Sequence, residues 1–386
     1  MARNITIGID VGTRSTRVVV SEYAKGSPRP VILGIGISPS MGLRHGYIVN
    51  RHDATKSIAA AVRAAERSSK IKIRNAYLSI GGISLESGVS NSSVVISRAD
   101  SEVTDLDIEK AIEISKENMQ NLANKRILDA IPLKFKIDGK EVMGRPQGMK
   151  GTKLEVKTLF ITCLEQHVDE LLHAVEDAGV EVEDIVATPI AASLVALTKK
   201  QRTVGCLLAN IGAETVVVSV FEDDTPISLQ VFPIGSTDIT NDIALGLQIP
   251  LDEAEQIKLD SKSGLYSKRK LDEIIEARLS DIFELIEAHL KKIKRSGLLP
   301  GGIIITGGGA GISTIEDFAK ASLKLPSKIA TPESLNNHAG QIKDSSWFVA
   351  YGLCIYGLQQ ARRNKSIEKI KSIKDYSLGW IKQFLP

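Results

Sequence analysis

Between positions 5 and 20 β-branched apolar residues flank a short polar break, in the run Ile5-Thr6-Ile7-Gly8-Ile9-Asp10-Val11-Gly12-Thr13-Arg14-Ser15-Thr16-Arg17-Val18-Val19-Val20. Two such runs around a glycine-containing turn predict a β-hairpin. Residues 30–38 predict a third strand, the spacing from about 53 to 68 an N-capped helix, and 76–82 a strand that closes an α/β unit. The pattern then changes. Residues 89–96 are strand-like, Thr104 to Asp107 cap a helix running to about 123, and alternating strands at 127–137 and 153–164 flank a glycine-rich turn at 148–151. This is the signature of a small α+β insert. A helix at about 167–178 and a strand at 185–187 return the chain to its first unit.

The second half opens by repeating the first. Residues 204–220 again place strand, polar-Xaa-Gly turn and strand in order, now with Asn210, Gly212 and Thr215 in the turn. A largely helical stretch follows from 238 to about 296, including a long amphipathic helix at 271–295. Next comes a strand that ends in Thr306-Gly307-Gly308-Gly309-Ala310. A duplicated α/β unit with one such turn in each half predicts a ligand clamped between two lobes. The residue types suit phosphate: Gly12 lets the main chain approach an anion, Thr13 adds a hydroxyl donor, and Asp10 is placed to hold a hydrated divalent cation. Any one of these turns alone also fits a plain structural turn, and the three together carry the reading.

Composition adds bounds. A chain of 386 residues, 43% hydrophobic and 25% charged, predicts two to three globular domains. No signal peptide is expected, because Asp10 interrupts the first apolar run. Cys163, Cys206 and Cys354 stand singly in apolar runs and predict buried thiols of a reducing cytoplasm, without metal-ligand spacing. The net charge of +3 is uneven: residues 362–386 hold seven cations and two anions, so the rest is slightly acidic. A basic terminus suits a polyanionic surface, membrane or nucleic acid. On a helical wheel Ile367, Ile370, Ile373, Leu378, Trp380, Ile381, Phe384 and Leu385 share one side, with Lys371, Lys374 and Lys382 at its edges. That layout predicts an in-plane helix on anionic lipid, membrane-binding through Leu378, Trp380, Ile381, Phe384 and Leu385, and no nucleic-acid partner. The uncharged run 345–361 is marginal for a membrane span and predicts a buried helix closing the first lobe.

The three glycine turns, in this order and spacing, resemble the phosphate-1, phosphate-2 and adenosine motifs of the actin, Hsp70 and sugar-kinase superfamily. Within it the chain resembles the FtsA family of bacterial cell-division proteins. The segments that carry the likeness are Ser79-Ile80-Gly81-Gly82, residues 148–155 of the insert, residues 239–247, Glu253 to Lys258, and Thr306 to Ala310. The resemblance implies a two-lobed actin-like ATPase fold of the duplicated ribonuclease H type, with an SHS2-type α+β insert and a C-terminal amphipathic helix. The segments would be a first lobe at 1–82, 161–200 and 345–365, the insert at 83–160, a second lobe at 201–245 and 297–344, a helical subdomain at 246–296 and the tail at 366–386. It implies ATP and Mg2+ in the cleft, held by Asp10, Gly12, Thr13, Arg17, Gly212, Thr215, Gly235, Glu255, Lys258, Gly307, Gly308 and Gly309, with Asp10 also on the metal and the Glu255/Lys258 pair at ribose and adenine. It further implies homopolymeric filaments, docking of the FtsZ C-terminal peptide around 247–296, contacts of the insert with later division proteins, and a peripheral location on the cytoplasmic side of the inner membrane at the septum.

One departure bears on the chemistry. The family's second loop reads Asp-Ile-Gly-Gly-Gly-Thr, but here it is Asn210-Ile211-Gly212-Ala213-Glu214-Thr215. A carboxylate about 4 Å from a phosphate charge, at an effective dielectric near 20, would repel it by roughly 4 kcal/mol. Glu214 must therefore turn away or be neutralised, or nucleotide binds weakly. With the cation-side acid replaced by Asn210, the cleft suits holding a nucleotide more than cleaving it, and no catalytic residue is assigned. The competing readings are a type IV pilus assembly protein of the PilM kind and, further off, a small-molecule kinase.

Overall fold

The computed structural model describes residues 4–23, 29–96, 100–259, 266–331 and 342–361. In chain order the first lobe begins with β1 (Ile5–Val11), β2 (Ser15–Glu22) and β3 (Val31–Pro39). It continues through a short hairpin, β4 (Leu43–Arg44) and β5 (Tyr47–Ile48), then α1 (Arg51–Ser69) and β6 (Asn75–Ile80). The Asn50 side chain accepts the Asp53 N–H to start α1, and Lys70 in the left-handed region ends it. The insert comprises β7 (Glu86–Val95), α2 (Asp105–Glu117), β8 (Lys125–Ile137), β9 (Lys140–Val142) and β10 (Lys153–Leu164). The chain returns through α3 (Glu165–Asp177), β11 (Glu181–Ala187), α4 (Thr188–Ala196) and α5 (Lys199–Val204). The second lobe holds β12 (Cys206–Ile211), β13 (Val216–Glu222), β14 (Thr225–Phe232), α6 (Ser236–Leu247), α7 (Leu251–Leu259), α8 (Lys268–Lys292), β15 (Ile303–Thr306), α9 (Ile315–Leu323) and β16 (Ser327–Ile329). Residues 348–361 form a final described helix, α10.

The two lobes repeat one topology. The first sheet runs β11-β6-β1-β2-β3 and the second β14-β13-β12-β15-β16, which is the same order read from the opposite edge. In each, an antiparallel meander of three strands is extended by two parallel strands. The fold is therefore the duplicated α/β architecture that the repeated hairpin predicts. Two helices fill the space between the sheets: α4 and α10 share a core with Val19 and Ile32 of the first sheet and Leu208, Phe221 and Ile304 of the second. They cross so closely at Gly352 that a Cβ there would lie 1.9 Å from the Ala191 carbonyl oxygen. Buried Tyr351 donates to the Pro30 carbonyl at 2.7 Å, which ties α10 to the strand before it enters the sheet. The run 345–361 thus lies between two sheets, and no helix among the described residues is long and apolar enough to cross a membrane. Cys354, wholly enclosed on this helix, is pushed up to about 12 by burial, so its thiol stays protonated.

The insert forms its own four-stranded sheet, β7-β10-β8-β9, covered by α2. Its distal half has a separate core of Val94, Ile108, Phe135, Leu154 and Val156. At the root, Ile161 and Cys163 join the core of the first lobe. The root also touches the second lobe, where the Ser87 hydroxyl donates to the Leu229 carbonyl and accepts the Leu229 N–H, both at 2.8 Å. One side chain thereby satisfies both main-chain groups of a residue on the edge strand β14.

Several boundaries differ from the sequence expectation for physical reasons. Helix α2 stops at Glu117 instead of about 123, because Asn118 caps it and Asn121 and Asn124 adopt positive φ, a conformation asparagine tolerates better than most residues. Strand β11 starts at Glu181, four residues before the apolar triplet that reveals it, since its first half is acidic and mostly exposed. The helices α6 to α8 share one continuous core with the sheet of the second lobe, from Val216 and Val218 to Ile243, Leu279 and Phe283. The tail expectations, including Leu378, Trp380, Ile381, Phe384 and Leu385, lie outside the described residues.

Candidate functional site

The hairpin turns β1–β2 and β12–β13 face each other across a cleft of about 550 Å³, within the range of small-molecule and cofactor sites. The turns have the same construction. Val11 pairs with Thr16 and Ile211 with Val216, and in each a glycine follows the strand. A Cβ on Gly12 would lie 3.0 Å from the Ser15 carbonyl oxygen, and one on Gly212 2.9 Å from that of Thr215. Thr13 and Thr215 line the cleft beside them.

At the end of β1 Asp10 accepts the Ser79 hydroxyl at 2.6 Å. Burial pushes its carboxyl up, against the pull of that bond and of Arg17. Arg17 stands opposite Asp10 in the strand register, with its guanidinium 5.7 Å from the centre of the Trp347 ring. Burial lowers the Arg17 pKa while Asp10 and Asp344 hold its charge in place. Its buried Nε has no hydrogen-bond partner among the described residues, while the Arg17 side chain as a whole lines the cleft.

The third wall is glycine. Gly307, at φ 91°, ends β15 where a Cβ would lie 2.3 Å from Asn210 Oδ1 and 2.5 Å from the Ile211 carbonyl oxygen. Only glycine lets this loop cross the second turn. Gly308 to Gly311 form a 3-10 turn, and beside Gly308 and Gly311 there is open space. From the second lobe Lys258 donates to Glu255 Oε2 at 2.7 Å, to Thr240 Oγ1 at 2.8 Å and to the Ser236 carbonyl at 3.0 Å. Burial pushes Lys258 down and Glu255 pulls it back up; the Glu255 carboxyl, raised by burial, is brought below its usual range by Lys258 and Thr240. Glu255 Oε1 also meets Arg14 of the first turn at 2.9 Å, across the cleft mouth.

Of the sequence-predicted residues, Asp10, Gly12, Thr13, Arg17, Gly212, Thr215, Glu255, Lys258, Gly307, Gly308 and Gly309 all line this one cleft. Gly235 does not. It lies behind the second turn, where a Cβ would be 2.3 Å from the Ala213 carbonyl oxygen, and it allows the start of α6 to pack there. Ser236 and Thr237 then donate their N–H groups to the Gly212 and Ala213 carbonyls at 2.9 and 2.8 Å. Glu214 turns away from the cleft and accepts the His45 N–H at 2.6 Å. The sequence reading missed His167, which lines the cleft from α3 and is held by Ser84 at 2.8 Å and the Gly46 carbonyl at 2.9 Å. No local signal marks it. Ser79 and Arg14 were also missed, although both lie within segments already singled out.

These residues fit a nucleotide with its phosphates toward the two turns. For Mg2+ they offer Asp10 and the neutral Asn210, and no cluster of three or more metal-ligating side chains exists among the described residues. A magnesium ion here would draw most of its ligands from phosphate and water, as that ion commonly does.

The comparisons with known proteins agree with this geometry. A family model described as "Cell division protein FtsA" matches residues 207–352, and one described as "SHS2 domain inserted in FTSA" matches residues 84–162. A cell division protein FtsA from Borreliella burgdorferi is 31% identical over 96% of this chain and 95% of its own length. Among solved structures, a chain of a PilM–PilN type IV pilus biogenesis complex superposes with a TM-score of 0.68, at 16% identity, over 91% of this chain and 98% of that one. MreB5 of Spiroplasma citri bound to ADP gives 0.54 at 15% identity, over 94% and 98%. At those identities the structural likeness concerns the actin-like fold alone, and the sequence relatives decide the family. With both sequence domains in place and near-complete overlap with its relatives, the chain belongs to the FtsA family of cell-division proteins.

Proposed function

We propose that this FtsA-family chain is an adenine-nucleotide-binding adaptor of cell division, which forms actin-like filaments and ties the FtsZ ring to the cytoplasmic face of the inner membrane at the septum. The observation that carries the reading is the single cleft in which two equivalent turns, a glycine-lined third loop and the Glu255/Lys258 pair converge. The MreB5 structure, of the same fold, holds ADP, which supports adenine nucleotide as the ligand class. Bound Mg2+ would screen the phosphates and polarise them. The chain's own residues do the rest: turn amides and Thr13 bind phosphate, Arg17 adds positive charge to the wall, and Asp10 orients the ion's water shell. At the second turn Asn210 is neutral and cannot accept a proton from water, so turnover is slow while binding persists.

The FtsZ C-terminal peptide is assigned to the helical stretch 247–296, which holds α7 and α8, filament and division-protein contacts to the insert, and membrane attachment to the basic amphipathic tail at 366–386, on its sequence pattern. The deciding experiment combines equilibrium binding of a fluorescent ATP analogue with pelleting of the full chain on anionic-lipid vesicles, with and without FtsZ peptide. Saturable nucleotide binding and salt-sensitive pelleting are expected. Vesicle binding unchanged in a Trp380→Glu/Phe384→Glu double variant would exclude the tail as the attachment, and absence of nucleotide binding would exclude the adaptor's ATP dependence.

A further inference from the structure

We infer that Glu214 is a latch: reaching from the second turn to the β4–β5 hairpin of the other lobe, it holds the cleft closed and sets how fast nucleotide leaves. This deepens the nucleotide reading above and rests on it. Glu214 sits in the second turn two residues after Gly212, and its side chain leaves the cleft while both of its neighbours line it. Glu214 Oε2 accepts the His45 main-chain N–H at 2.6 Å, and the His45 ring Nδ1 lies 3.2 Å from the Glu214 carbonyl oxygen, in reach to donate. One residue from each lobe is thus bonded twice to the other, 169 positions apart.

Both ends of the latch are fixed to rigid structure. On the first lobe His45 sits at φ 48° in a hairpin tip whose next carbonyl, Gly46, accepts the His167 Nε2–H at 2.9 Å. Tyr47 stacks on His167 with ring centres 4.4 Å apart, and the His45 carbonyl accepts the Ile83 N–H at 3.3 Å. On the second lobe the carbonyls of Gly212 and Ala213 are bonded to the start of α6. Force on the Glu214 carboxylate therefore acts on the whole turn and helix. Separating the lobes by a few ångströms breaks the contact, because hydrogen bonds weaken steeply beyond normal distance. The ion pair at the cleft mouth, Arg14 with Glu255, joins an arginine 60% exposed to a glutamate 17% exposed, and solvent around the arginine weakens such a pair. The Glu214 side chain is 28% exposed and its bond to the His45 N–H is charge-assisted, so at the cleft mouth it is the contact made directly between the two facing turns and hairpins.

The sign of one measurement separates this role from its opposite. A carboxylate that merely repels phosphate would, on removal, slow nucleotide release; a latch would, on removal, speed it. The full chain is loaded with N-methylanthraniloyl-ATP and chased with excess ATP in a stopped-flow instrument, comparing the unmodified protein with Glu214→Ala and Glu214→Gln. Release from Glu214→Ala should be roughly tenfold faster or more, the factor for losing about 1.4 kcal/mol, and Glu214→Gln, which keeps an acceptor without charge, should fall between. Unchanged or slower release overturns the latch. Hydrogen exchange in nucleotide-free protein provides a second reading that does not depend on ATP. The His45 amide should exchange at least about tenfold faster in Glu214→Ala while the Leu279 amide in the core of the second lobe is unaffected. If the unmodified protein takes up no nucleotide, the ATP reading fails and this exchange decides alone; unchanged exchange at His45, or uniform acceleration throughout, rejects the latch.

Discussion

The two turns that face each other in the cleft share a backbone and differ in charge. Asp10, Gly12 and Arg17 in the first lobe correspond to Asn210, Gly212 and Val217 in the second, in matching strand registers. The first turn retains a buried acid and a cation opposite it; in the second both charges are gone, and the one acid that remains, Glu214, points out of the cleft to His45. Duplication kept what the backbone needs, since the glycines meet the same carbonyls at nearly the same distance in both. Charge was free to diverge because it is set by side chains that the strand pairing does not constrain. The charge facing the cleft from the turns themselves thus comes from the first lobe, while the second lobe places its charged pair, Lys258 and Glu255, on a helix behind its turn.

The strongest way to break this asymmetry is to make the first turn resemble the second. Asp10→Asn should lower Mg2+-dependent nucleotide affinity by roughly 10- to 150-fold, as for loss of a hydrogen bond to a charged group, with a smaller change in EDTA; titration with a fluorescent ATP analogue reads both. The converse change, Asn210→Asp, should raise phosphate release from ATP by about tenfold or more, since general-base and metal-positioning groups contribute on that scale or above. A steady-state phosphate assay that shows no gain would mean the second turn does not limit turnover.

Acid sharpens the comparison in another way, because each lobe buries one histidine in its neutral form. His167 in the first lobe and His289 in the second both have their pKa lowered by burial, His289 to about 4. The unfolded chain takes up these protons near pH 6.5, before the folded protein does. The contribution of His289 to stability is therefore complete above pH 6.5 and falls as the pH drops from there to about 4, by roughly 1.4 kcal/mol per pH unit. Thermal unfolding between pH 7 and pH 4 should show the slope, and His289→Gln, which keeps a partner for Ser228, should reduce it. The smallest effect is expected from Arg14→Ala, which removes the exposed ion pair at the cleft mouth. It should change stability by less than about 1 kcal/mol, and a downward shift in unfolding temperature larger than the pH effect would show that the mouth pair matters more than its exposure implies.

Most of the fold and of the cleft wall was legible in the chain itself. Strand alternation around two glycine turns, repeated once, gives the duplicated sheets, and the loops that line the cleft are continuous segments whose residue types state their chemistry. Glycines at 12, 212 and 307 mark close backbone approach, and Asp10 and Arg17 lie in adjacent strands of a hairpin whose register follows from its turn. Glu214 stood out only against the family's second-loop motif, not by local pattern. What pattern left open was the direction of that side chain, the position of Gly235 behind the turn, and the presence of His167 in the wall, held by a carbonyl 121 residues away. The same holds for the shared core that joins α6 to α8 with their sheet and for the place of α10 between the two sheets. Periodicity reports which face of an element is apolar and turn chemistry reports where the chain reverses, both from neighbours in sequence. Which groups meet across the cleft depends on how the two lobes pack on each other, and only the tertiary structure decides that, because those contacts join residues that no local pattern relates.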